Sequence, residues 1–259
     1  MDAPIASFPL PDELVEISAL TAIDDRTVAC VQDEVGVVFF VDVREGRVVR
    51  QLPFGRDGDY EGLASVGDAL WVLRSDGRLI ELAMRGDQLV PQQRSKLGLK
   101  NREFEGLGYD PIDRLLLVAQ KERSKGSKSE RAERVVHRFD PVSGERRKPP
   151  ALDTTVDRIV ADADEAGIEL RDSRLKARFS SVAVHPTSGH LYLLSAADEA
   201  VLVFTREGRL CAAHLLDAQQ MPQPEGMTFL PGGDMVIASE GGEGRGPARI
   251  QVFRESRGD

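Results

Sequence analysis

A glutamate followed by a small residue, ahead of two short apolar runs, recurs along this chain at a fixed interval. DYEGLASVGDALWVLRSDG carries Glu61-Gly62-Leu63, EFEGLGYDPIDRLLLVAQK carries Glu105-Gly106-Leu107, and QPEGMTFLPGGDMVIASEG carries Glu225-Gly226-Met227. VEISALTAIDD offers a relaxed copy at Glu16, and FSSVAVHPTSGHLYLLS keeps the layout with Ser181 at the glutamate position. Marks at 16, 61, 105, 181 and 225 stand 45, 44, 76 and 44 residues apart. A period of this length points to stacked copies of one supersecondary unit.

Each copy repeats one pattern. A short apolar strand follows the mark, then a turn rich in Asp, Gly or Pro, then a nearly continuous apolar run such as 28–31, 70–73, 115–119, 191–194 or 235–238. Runs of that kind between turn residues read as strands buried on both faces. A third, alternating strand (37–41, 79–82, 201–204) and a fourth, more polar one complete the unit. Four strands per unit of this period make a propeller blade, apolar inside and mixed at the outer edge.

The fold class expected is therefore all-β: a single-domain β-propeller of five four-stranded blades, with a sixth inside the 76-residue step as the alternative. The units run over about 15–57, 58–102, 103–149, 179–222 and 223–255. Residues 5–10 close the ring by supplying the last blade's outer strand, which removes a free edge. Residues 121–134 are charged and read as a loop. Val156, Ile159, Val160 and Ala163, behind Asp153 and Thr154, predict one short amphipathic helix ending near Gly167, within an insert over 153–178 that lies across one face of the ring as a partial lid or packs as filler.

A net charge of −9 argues against non-specific nucleic-acid binding, which needs a concentrated basic surface. No apolar run approaches the ~20 residues that span a membrane, and the first residues show no basic segment followed by an apolar one. Cys30 and Cys211 fall in different units and read as unbridged, small buried hydrophobes. In ADADEAGIELRDS, Asp162, Asp164 and Gly167 match three positions of a calcium loop, but its closing glutamate is absent. EGGEGRG precedes a strand rather than a helix, so it reads as a hairpin.

With these repeats assembled, the chain resembles the SdiA-regulated (YjiK-like) β-propeller family of bacteria. The likeness is carried by Leu14-Val15-Glu16-Ile17-Ser18, Val31-Gln32-Asp33-Glu34, Asp59-Tyr60-Glu61-Gly62-Leu63, Phe104-Glu105-Gly106-Leu107, Ser180-Ser181 with His185-Pro186, Gln223-Pro224-Glu225-Gly226 and Ser239-Glu240. The resemblance implies a propeller, exported or anchored at a membrane in many members. It also implies kinship with lactonase-like and phytase-like propellers, whose axial carboxylates bind calcium.

Each glutamate opens the innermost strand of its blade, so Glu16, Glu61, Glu105 and Glu225 are expected to converge at one end of the axis with Ser181. Asp33, Glu240 and Lys121 follow the second strands and form a second layer. Carboxylates at close range must be protonated, paired or neutralised by a cation. Three readings follow: backbone hydrogen bonds that fix blade registry, an axial Ca²⁺ held by Glu16, Glu61, Glu105, Glu225, Asp33 and Glu240, or a catalytic carboxylate pair. Hard oxygen donors suit Ca²⁺. The function expected is a non-catalytic, monomeric binding protein for a small molecule, peptide or envelope component at an acidic, calcium-loaded channel. The alternatives are a metal-dependent hydrolase of lactones or phosphoesters, with Lys121 competing against the metal, and a scaffold working through its rims.

Overall fold

The computed structural model describes residues 3–99, 102–123, 132–171, 174–242 and 244–255. Five antiparallel four-stranded sheets stand in a ring. The first blade comprises β2 (Ile17–Ala22), β3 (Thr27–Gln32), β4 (Val37–Asp42) and β5 (Arg47–Pro53). The second comprises β6 (Tyr60–Val66), β7 (Ala69–Arg74), β8 (Arg78–Arg85) and β9 (Gln88–Lys96). The third holds β10 (Arg102–Asp110), β11 (Leu115–Arg123), β12 (Glu133–Asp140) and β13 (Glu145–Thr155). The fourth holds β14 (Phe179–Val184), β15 (Leu191–Ser195), β16 (Ala200–Phe204) and β17 (Leu210–Leu215). The fifth joins β18 (Pro224–Phe229), β19 (Met235–Ser239) and β20 (Arg249–Phe253) to the N-terminal β1 (Ala6–Pro9), which pairs antiparallel with β20. The ring has five blades, and the N-terminal strand closes it.

Innermost strands meet in the order β2, β6, β10, β14, β18 and back to β2. The core is five slabs between neighbouring sheets. Leu63, Val72 and Leu82 meet Val31, Val38 and Phe40 between blades one and two, for example, and Trp71, Leu73 and Leu116 fill the next gap. The turns use the expected chemistry. Oδ1 of Asp42, Asp110 and Asp140 each accepts two backbone N–H groups from the turn that follows.

The irregular stretch differs from the sequence reading in three respects. The third blade extends to Thr155, so Asp153 and Thr154 belong to β13 and pair with Val135 and Arg134. The helix, α1 (Val156–Ala166), is capped by Thr155, whose side chain accepts from the Arg158 N–H, and it ends at left-handed Gly167. It packs on the outer strands β13 and β17, with Ile159 and Ala163 in the slab between blades three and four. Of the two readings of the insert, lid or filler, the helix follows the second, as a peripheral wedge. The calcium-loop look-alike is the end of this helix, where Asp162 binds Arg158 at 2.8 Å.

Of residues 121–134, the first three finish β11 and the last two start β12; the stretch 124–131 lies outside the described residues. Cys30 is buried as expected, but Cys211 is exposed on the outer strand β17, and both are free thiols. Among the described residues, no helix is long and apolar enough to cross a membrane.

Candidate functional site: the acidic mouth of the ring

All five inner strands open with a β-bulge at the same place. Pairing skips one residue between Ile17 and Ala19, Tyr60 and Gly62, Phe104 and Gly106, Phe179 and Ser181, and Pro224 and Gly226. The skipped residues are Ser18, Glu61, Glu105, Ser180 and Glu225. A bulge turns its extra residue out of the ladder, so these five form the structurally equivalent ring. Three predicted glutamates occupy it. Glu16 lies two residues ahead of the position, exposed at the rim, and Ser181 lies one residue past it.

The serines take the registry role. Ser18 Oγ donates to the Tyr60 carbonyl at 2.7 Å, and Ser180 Oγ donates to the Pro224 carbonyl at 3.2 Å. Each acceptor immediately precedes the ring residue of the next blade. Ser181 Oγ accepts from the Met227 N–H at 3.1 Å. The column after the ring is small because neighbouring backbones touch there. A Cβ on Gly62 would lie 2.6 Å from Leu107 Cβ, and one on Gly226 would lie 3.1 Å from the Leu20 nitrogen.

The glutamates are left with charge to settle. Lys121 reaches in from the end of β11 and its Nζ pairs with Glu105 Oε1; the two side chains are 39% and 11% exposed. Burial works against the Lys121 ammonium, but the Glu105 bond and the charges of Glu225 and Glu61 outweigh it, so its pKa is raised. Even with this partner, burial lifts the Glu105 carboxyl above its ordinary range. Burial, then Glu105 and Asp59, push Glu61 up to about 8. Glu225 is raised well above the usual value, by burial first and then by Glu105 and Glu240. Among the described residues the Lys121 ammonium, with the charge of Arg178 acting on Glu105, thus serves three carboxyls.

The second layer is as expected in position. Opposite the bulges stand Gln32, Arg74, Gln120, Ser195 and Ser239, so the next residues, Asp33, Lys121 and Glu240 among them, are equivalent. Burial raises Asp33, with Glu16 and Glu34 adding to it, and burial raises Glu240 against the pull of Arg245, which lies 3.4 Å from it. Glu16 therefore acts on this layer through its charge.

A Ca²⁺ cage requires six to eight oxygens converging at ~2.3–2.6 Å. Among the described residues, no three His, Cys, Asp or Glu side chains converge in that way. Glu105 Oε1 is already held by Lys121. As arranged, the mouth holds an ammonium group, that of Lys121, on Glu105. At the other end, the channel opens into a cavity of about 250 Å³ with mixed walls, Leu20, Leu63 and Met227 standing beside Thr21, Ser65 and Thr228.

The fold is similar to that of the glutaminyl cyclase of Myxococcus xanthus, with a TM-score of 0.64 and 15% identity over 96% of this chain and 94% of that one. The PQQ-bound aldose sugar dehydrogenase of Streptomyces coelicolor matches with a TM-score of 0.63 and 13% identity over 96% of both chains. A luciferin-regenerating enzyme matches with a TM-score of 0.52 and 9% identity over 97% and 96%. Identities this low speak for the fold alone. No curated protein matches the chain. The family model described as SdiA-regulated covers residues 8–242, which takes in all five bulges and both layers of the mouth. The chain belongs to the SdiA-regulated family.

Proposed function

We propose that this chain is a ligand-binding propeller whose acidic mouth receives a cationic group. One observation supports the reading most: among the described residues Glu61, Glu105 and Glu225 gather around the Lys121 ammonium, burial raises all three carboxyls, and the Glu105 charge raises Glu61 and Glu225 further. Such a ring is under-neutralised. A second ammonium, from a small molecule, a peptide or an envelope component, would lower that repulsion and lie where Lys121 shows an ammonium is accepted. Recognition of this kind needs no chemistry on the ligand.

Ca²⁺ is the second reading, favoured by the hard carboxylate oxygens of Glu61, Glu105 and Glu225, and it requires Lys121 to give up Glu105. Calorimetric titration of the metal-stripped chain with 1,4-diaminobutane, and separately with CaCl₂, distinguishes the two. The diamine is expected to bind, and more tightly at pH 9 than at pH 6.5. Below about 8 the Glu61 carboxyl keeps its proton, so cation binding must release it; above that it need not. A gain of at least about tenfold is expected. Micromolar Ca²⁺ binding without diamine binding would install the second reading. Binding of neither probe, or binding unchanged in Glu61→Gln and Glu225→Gln, would sink the proposal.

A further inference from the structure

The face that carries the acidic mouth holds a site of the opposite sign away from the axis. Between the exit loop of blade one and the outer strands of blade two runs an open groove of about 870 Å³. Arg56, Arg74, Arg78, Arg94 and Lys96 line it together with one carboxylate, Asp57, and Phe54 and Tyr60 form part of its apolar wall. Sheet register explains the clustering. Lys96 pairs with Arg78 and Arg94 pairs with Ile80, so these four share one face of the sheet, while Arg74 ends the neighbouring strand opposite Tyr60.

The positive charge is only partly neutralised locally, five basic side chains standing beside Asp57 and Asp76. Asp76 serves both Arg78, at 2.7 Å, and Arg74, at 3.7 Å. Among the described residues, Arg56, Arg94 and Lys96 have no ion-pair partner, in a chain whose net charge is −9. The Nε of Arg74 is buried without a hydrogen-bond acceptor. The wall is fixed in place: Tyr60 donates its hydroxyl to the Arg56 carbonyl at 2.6 Å, meets Phe54 edge-on at 5.0 Å, and lies 5.9 Å under the Arg74 guanidinium. A rigid apolar wall beside the unpaired guanidinium groups of Arg56 and Arg94 and the ammonium of Lys96, in a volume within the ~300–1,000 Å³ of small-molecule sites, has the character of a recognition site for an organic anion.

We propose that this groove binds a small molecule bearing several carboxylate or phosphate groups, with Arg78, Arg94 and Lys96 as its charged contacts. It is independent of cation binding at the mouth. The test is calorimetry on the full chain at low salt, with citrate and tripolyphosphate as probes. At least one is expected to bind, citrate alone indicating carboxylate chemistry and tripolyphosphate alone phosphate chemistry. The doubly substituted Arg94→Gln/Lys96→Gln protein should bind at least about tenfold more weakly, whereas Glu61→Gln should bind unchanged. Arg94 and Lys96 are exposed, so an unchanged melting temperature verifies that the double variant is folded. Absence of binding by both anions, or equal binding by the double variant, would overturn the assignment.

Discussion

Gly108→Ala is expected to unfold far more readily than the wild type. Gly108 lies on β10 where the inner strands of blades three and four meet, and a Cβ there would fall 2.3 Å from the Val182 carbonyl oxygen. Backbone cannot rotate away as a side chain can, so one blade must shift against the next. Overpacking of this kind costs about 3 kcal/mol or more, which is roughly 6–12 °C in melting temperature for a domain of this size. Gly67 provides the contrast. Its φ is +58, yet a Cβ there meets nothing within 4 Å, so Gly67→Ala should cost only ~1 kcal/mol of backbone strain. Thermal scans of both variants check the ranking. Equal losses would mean that close approach of inner strands does not hold the ring.

Lys121→Met should weaken the fold and strengthen cation binding at once. The substitution keeps most of the apolar stem and removes the ammonium that bonds Glu105 and feels the charges of Glu225 and Glu61. Breaking a fully buried pair costs ~3–5 kcal/mol; with the Lys121 side chain 39% exposed, solvent screening reduces this to about 1–2 kcal/mol. The loss depends on pH. Burial already raises the Glu105 carboxyl in the folded chain, and loss of Lys121 raises it further. A carboxyl raised in this sense favours the folded state below its unfolded value and loses that contribution as pH rises through the folded one. The variant should therefore melt close to wild type in acid and fall progressively below it toward pH 8. Titration with 1,4-diaminobutane at pH 8 should show tighter binding than wild type. Weaker binding would make Lys121 a ligand contact instead of a resident counter-ion.

The five-blade ring was legible because its cause is local and repeated. Each blade must place an apolar strand between two neighbours, and that requirement recurs every 44 or so residues with Asp, Gly or Pro at the turns. The ring of axial residues was only partly legible. Matching by glutamate selects Glu16, but the bulge is set by a hydrophobic residue, the ring residue, a small residue and an aliphatic one. Ile17-Ser18-Ala19-Leu20 and Phe179-Ser180-Ser181-Val182 follow that four-residue pattern as closely as Tyr60-Glu61-Gly62-Leu63 does. Alignment on the small residue would have selected Ser18 and Ser180. The helix was readable from its period, whereas its place at the periphery depends on which slab lacked filling. The basic groove left no signal along the chain, since Arg74, Arg78, Arg94 and Lys96 come from three strands and only the register of blade two brings them to one face.

A cationic ligand is needed at the mouth only if its carboxyl groups outnumber the basic side chains beside them. Carbon-13 NMR titration of the glutamate carboxyls, comparing wild type with Glu61→Gln, tests it directly. A resonance titrating near pH 8 in the wild type and missing from the variant is the predicted result. If every glutamate carboxyl titrates below about pH 5, in the ordinary range, the mouth is already neutralised and has no call for a cationic ligand.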